Sequence, residues 1–225
     1  MPNVQNQLEI IATSRLGITT SASSQNIEGN TQGAMLQALS LPLNAEVSRL
    51  GNSYVAGTVT ASAVAPVAAL PTTAAHFILF NGESQSSGTG KSYVIQRCSF
   101  TTVVSSAAAY QAQLLAHLSN GAVSAAPSNT AGLGPKSLSG RASQSNATVG
   151  STATIVNSGA WHTVGPAAQG YAATATIALG GDYDVNGLYV VPPGGIFSLA
   201  VLCSAAGSAT CTCYVTWHEV LIALG

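Results

Sequence analysis

The chain has 225 residues, of which 6 are Lys/Arg and 7 are Asp/Glu, for a net formal charge of −1. Hydrophobic residues make up 47% and charged residues 6%, against about 25% charged in an ordinary soluble protein. These numbers exclude a phosphate-neutralising surface, because Arg15, Arg49, Lys91, Arg97, Lys136 and Arg141 stand singly, with no basic stripe. The apolar run at residues 59–70 is interrupted by Thr60, Ser62 and Pro66 and is too short to cross a bilayer. Four cysteines are too few for a disulfide-rich secreted scaffold. The first residues, Met1-Pro2-Asn3-Val4-Gln5-Asn6-Gln7, lack the basic-then-apolar layout of a signal peptide. So few charges disperse free subunits poorly. Either Ser, Thr, Asn and Gln keep the surface wet or neighbouring subunits cover it, and both point to life inside an assembly.

In chain order, residues 1–50 read as an extended arm. Within it, residues 31–39 (Met35, Leu36, Leu39) suit one short helix and residues 46–49 a further turn. From residue 51 to 225, Val, Thr, Ile and Tyr recur in short runs separated by Gly, Pro, Asn and Ser, the pattern of many short strands. Strands are expected at 54–63, 76–81, 92–104, 110–118, 152–156, 161–164, 172–179, 187–191, 196–203 and 210–221. Residues 105–121 carry a Ser cap, good helix formers and a terminal Asn-Gly. However, Tyr110, Ala112, Leu114, Ala116 and Leu118 alternate with Gln111, Gln113 and His117, and this period of two favours a strand. Residues 119–150, rich in Ser, Ala, Gly and Asn with Pro127 and Pro135, read as a long loop or a pair of weak edge strands. The expected fold is all-β, an antiparallel jelly-roll-like β-sandwich with an extended N-terminal arm.

The clearest local pattern is at 187–222. A strand from Gly187 stops at Pro192-Pro193-Gly194-Gly195, and two alternating strands follow, read as a hairpin around Gly207. Phe197, Leu199, Val201 and Cys203 share one face, as do Cys211, Cys213, Val215 and Trp217, which makes these eight residues the buried face of the hairpin. Thr210, Thr212, Tyr214, Thr216 and His218 take the polar side.

This ending, closing with Val215-Thr216-Trp217-His218-Glu219-Val220, resembles that of small jelly-roll structural proteins of tailed bacteriophages. His76-Phe77-Ile78-Leu79-Phe80-Asn81-Gly82 and Gly90-Lys91-Ser92-Tyr93-Val94-Ile95-Gln96-Arg97 are similar to their early strand pair. The resemblance covers about residues 76–222 and leaves the arm unexplained. It implies a structural virion protein made in the host cytoplasm, most often a homotrimeric capsid decoration (cement) protein bound to the major capsid protein. The alternative is a fibre or glycan-binding receptor-contact module. Neither needs an enzyme activity, a cofactor, nucleic acid or a membrane.

Several constellations invite chemistry. Cys203 would lie nearly opposite Cys211, close enough for a disulfide, and a zinc site on Cys203, Cys211 and Cys213 would need Cys98 as its fourth ligand. Buried free thiols are the preferred reading. Asp182, Asp184 and Asn186, followed by Gly187, match the start of a calcium loop, yet Pro193 stands where the bidentate Glu belongs, and a plain turn accounts for them. Gly88-Thr89-Gly90-Lys91-Ser92 ends like a phosphate loop but has Gln85 in place of the first glycine. His76, His117, His162 and His218 come with no Gly-x-Ser-x-Gly elbow and few acids. Trp161 and Tyr171 suit sugar stacking, with core packing as the default.

Overall fold

The computed structural model describes residues 47–48, 50–59, 63–71, 75–84, 90–105, 108–119, 134–140, 142–150, 161–172, 177–204 and 206–221. The expected helix at 31–39, the strand at 152–156 and the arm before residue 47 lie outside the described residues.

Twelve strands make up the described chain. They are β1 (Ser53–Gly57), β2 (Phe77–Asn81), β3 (Ser92–Val104), β4 (Ala108–Ser119), β5 (Lys136–Ser137) and β6 (Ala147–Gly150), then β7 (His162–Thr163), β8 (Ala168–Ala172), β9 (Ile177–Asp184), β10 (Val190–Val191), β11 (Ile196–Cys203) and β12 (Ala209–Val220). β3 and β11 begin and end where their β-branched and aromatic alternation does. β4 confirms that period-two alternation outweighs the helix-forming composition of its residues, because Tyr110, Ala112, Leu114 and Ala116 all turn into the core.

Two antiparallel sheets form. In the first, β3 lies between β12 and the pair β9 and β10, and β1 joins the far edge of β12 with β5 outside it. In the second, the order is β6, β2, β11, β4, with β7 and β8 both on the outer edge of β4. The nesting is regular: β1 pairs β12, β2 pairs β11, β3 pairs β9 and β4 pairs β8. A long antiparallel ribbon folded over on itself gives this order, which is the jelly roll. Between the sheets lies one apolar core, with Tyr54, Phe100, Cys213 and Trp217 from the first facing Phe77, Leu114, Phe197 and Val201 from the second. Trp217 sits between Tyr54 and Tyr93, its ring centroid 5.8 Å and 6.1 Å from theirs. Fully burying such side chains stabilises by roughly 1.5–3 kcal/mol each.

The expected C-terminal hairpin is corrected. β11 pairs with β2 and β4 while β12 pairs with β1 and β3, so the two consecutive strands belong to different sheets. The link through Ser204 and the 3-10 turn Ala206–Ser208 is an arch over the edge of the sandwich. Phe197, Leu199, Val201 and Cys203 therefore meet Cys211, Cys213, Val215 and Trp217 across the core instead of lying beside them; all eight are at most 2% exposed. Alternation fixes which face of a strand is buried, but two apolar faces are equally satisfied by lying side by side or face to face. A second segment spans the same edge: Val64 bridges to Cys211 in one sheet and Val67 to Leu202 in the other.

The strand expected at 187–191 is shorter. Val185 to Leu188 form a turn closed by Leu188 N–H donating to Val185 O (2.9 Å), with Asn186 at φ 45° and Gly187 at φ 83°. Asn and Gly are the residues that tolerate two successive positive φ values. Both amides of Val185 and Asn186 reach Gln96 O, at the irregularity where β3 and β12 shift register. β9 and β10 are thus one edge of β3 interrupted by a turn.

Candidate functional site

The four cysteines are free and buried. Burial pushes the Cys98 and Cys211 thiols up to about 12 and that of Cys213 well above its usual value. Thiols held in this form are poor nucleophiles and poor metal ligands, which require the thiolate. Cys203 and Cys211 stand on opposite sheets without a bond, which corrects the disulfide alternative. Cys211 Sγ instead lies 3.6 Å from His76 Nδ1. The same nitrogen accepts the Val201 N–H at 2.8 Å, and the ring is also hydrogen bonded to the Ala65 backbone. Burial lowers this histidine to about 4, so the ring is neutral and serves as a pin between β11, β12 and the crossing segment.

Asp182 and Asp184 do not form a calcium loop. Both lie on the outward face of β9, where Arg97 of β3 holds them: Nε donates to Asp184 Oδ1 at 2.8 Å and Nη1 lies 3.2 Å from Asp182 Oδ2. Hydrogen bonds to Asp184 and Tyr214 raise Arg97 above its usual range. The guanidinium supplies the positive charge that both carboxylates face, and Asn186 lies in the turn that follows. All three side chains of this cluster are roughly half exposed, so its contribution to stability is modest.

A polar cluster that the sequence reading missed lies inside one end of the sandwich. Glu219 continues the inward series Cys211, Cys213, Val215, Trp217, and its side chain is fully buried. Ser145, just before β6, donates its hydroxyl to Oε1. Lys91, just before β3, places Nζ 3.4 Å from Oε2. Burial raises the carboxyl above its ordinary value, opposed by these two partners. Nearby, burial and then the Glu219 charge push the Tyr93 phenol well above its usual range. Asn81, the inward residue that ends β2, donates Nδ2 to Lys91 O and to Val191 O, both at 2.9 Å. Glu219 and Asn81 therefore tie the two sheets together. The missed signal was phase, since both residues follow strictly alternating apolar positions on a buried face. Lys91 belongs to this ion pair, and Ser92 begins a strand, so the residues after Gly90 do not cradle a phosphate.

The histidines are dispersed in role. His117 is buried with its ring centroid 5.3 Å from that of Trp161. His162 Nε2 pairs with the Tyr189 hydroxyl at 2.8 Å. His218 lies on the outward face of β12, its value lowered by burial. Trp161 packs against Ala75, Ile78 and Ile196, whereas Tyr171 on β8 is 68% exposed. Among the described residues, no three His, Cys, Asp or Glu side chains gather as a metal site, and no helix is long and apolar enough to cross a membrane. No protein-family model matches the chain, and neither does any curated protein.

What the described chain offers to a partner is surface. Across the outward face of the first sheet, paired positions run Thr216 beside Arg97, Tyr214 beside Ser99, Thr212 beside Thr101 and Thr210 beside Val103. Gly57, Gly180 and Ala178 flank these rows. The face is lined largely by hydroxyls, and its charges are few: Arg97 with Asp182 and Asp184, and the exposed Lys136, which lies in the same row through Val55.

Proposed function

We propose that this chain is a structural virion protein of a bacteriophage, a homotrimeric decoration protein that clamps neighbouring coat subunits. The observation that carries the reading is a jelly roll whose outward first-sheet face is lined by hydroxyls and carries few charges. On that face Arg97 is held by Asp182 and Asp184, and Lys136 carries a further charge. A face with few charges costs less to take out of water than an ordinarily charged surface. Adhesion follows from apolar and hydroxyl surface removed from water, at about 25 cal/mol per Å² of apolar area, repeated around a rotation axis. Co-sedimentation of the purified chain with undecorated phage capsids tests the reading. Saturable attachment at a fixed ratio to coat protein is expected, and absence of attachment to any capsid contradicts it.

A receptor-contact role is favoured by one observation only, the open ring of Tyr171. Exposed aromatic faces stack on sugars. Glycan binding that Tyr171→Ala abolishes would move the assignment to that second reading.

A further inference from the structure

Lys136 is exposed, whereas Lys91 turns its amine towards the buried end of the sandwich. Its Nζ lies 3.4 Å from Glu219 Oε2, and the Glu219 side chain is fully buried. A group of complementary chemistry is held in the same place. Asn81 is 0% exposed, and its carboxamide nitrogen donates to Lys91 O and to Val191 O, both at 2.9 Å. Its Oδ1 accepts the Glu83 N–H at 3.1 Å. Ser145 connects the two groups: its hydroxyl donates to Glu219 and accepts the N–H of Ala147, the residue paired with Asn81. The hydrogen bond from Asn81 to Lys91 O also limits the distance between the partners. Covalent geometry adds about 4 Å to it, so Asn81 Cγ lies within about 7 Å of Lys91 Cα. The flexible four-carbon stem of lysine spans nearly that length. An amine, a carboxamide carbon and a carboxyl are therefore confined to one end of the core.

We infer that Lys91 and Asn81 form an intramolecular isopeptide bond, with Glu219 as the group that moves the proton. The bond formed joins Lys91 Nζ to Asn81 Cγ, and the bond broken is Asn81 Cγ–Nδ2. Glu219 takes one proton from the Lys91 ammonium, which frees the lone pair for attack on Cγ. Negative charge then develops on Oδ1, where the Glu83 N–H already donates. As the tetrahedral centre collapses, Glu219 passes its proton to Nδ2. The attacking nitrogen gives up a second proton as it becomes an amide N–H, and the leaving nitrogen departs as ammonium. Atoms and charge balance without any further reactant. Burial raises the Glu219 carboxyl, which makes it readier to take the proton. The product ties the end of β2 in the second sheet to the residue that precedes β3 in the first, a covalent link across the sandwich. It lies within one subunit and does not depend on how copies assemble.

Mass spectrometry of the full-length folded protein, followed over days after purification and measured under denaturing conditions, tests the bond. Wild type should come to weigh one ammonia less than its sequence. A protease specific for acidic residues cuts after Glu83, between the two partners, and the resulting pieces should stay joined as one branched peptide. Lys91→Arg keeps a cation beside Glu219 but lacks the amine, and should retain the full sequence mass. Lys136→Arg should lose ammonia like wild type, and Glu219→Gln should slow the loss by about a hundredfold. A wild type that keeps its sequence mass overturns the inference. So does ammonia loss that maps to Asn186-Gly187 or persists in Lys91→Arg. An unchanged rate in Glu219→Gln overturns the part given to that carboxyl. Should either variant fail to fold, the branched peptide of the wild type decides alone.

Discussion

His76 must stay neutral to keep its place, since Nδ1 accepts the Val201 N–H and a proton there would break that bond. Its pKa falls from 6.5 to about 4 on folding. The unfolded chain therefore binds a proton more readily, and stability is lost as the pH drops from about 6.5 towards 4, by about 3 kcal/mol at most. His117 and His218, both lowered by burial, add smaller losses of the same sign. Glu219 acts in the opposite sense: its raised carboxyl takes a proton more readily in the folded protein, which offsets part of the acid loss above its unfolded value. Urea midpoints at pH 7 and pH 4.5 should show weaker wild type at the lower pH, and His76→Gln should reduce that difference. An unchanged difference would refute the role given to His76. At the other end of the sandwich, Asn81→Ala removes two cross-sheet hydrogen bonds, at a cost of about 2 kcal/mol. Glu219→Ala strips Ser145 and Lys91 of their acceptor and should cost about 3 kcal/mol by denaturant titration. Stability within 0.5 kcal/mol of wild type in either variant would count against these ties.

At the scale of elements, β11 and β12 show what a sequence carries and what it withholds. Their boundaries and faces were legible because the larger side chains Phe197, Leu199 and Val201 recur at every second residue and Cys211 to Trp217 alternate with polar residues. Their partners were not, because side-chain period is blind to which backbone edge a strand meets. A clue lay in the other phase of β11. Ile196, Ser198 and Ala200 are small or apolar and are also buried, as expected of a central strand with both faces covered. β8 was overlooked because Ala168-Gln169-Gly170-Tyr171-Ala172 has little β-branched character, and its pairing with β4 is a tertiary effect. The polar cluster was missed for a similar reason, since Ser145 and Lys91 come from segments whose meeting with Glu219 only the sheet order specifies. Two substitutions of equal chemistry test the arrangement. Ser198→Asp places a charge on a covered face and should cost at least about 3 kcal/mol, whereas Thr210→Asp on the exposed face should stay within about 0.5 kcal/mol. Equal costs would mean that the second sheet is not covered on its outer side. Gly57 gives a further check on the pairing of β1: an added Cβ would lie 2.6 Å from Tyr214 Cβ, so Gly57→Val should part β1 from β12 and lower the melting temperature by several degrees.

Over the whole molecule, the described charges are largely consumed in internal pairs, the thiols are inert, and the interior is filled by side chains from both sheets. These properties suit a protein that acts by covering and being covered. The most direct measurement is the solution mass of the full-length chain by sedimentation velocity at micromolar concentration. The account predicts a discrete oligomer, a trimer of about 67 kDa from three subunits of 22.4 kDa. A lone 22.4 kDa species, stable and undiminished on dilution or storage, would contradict it.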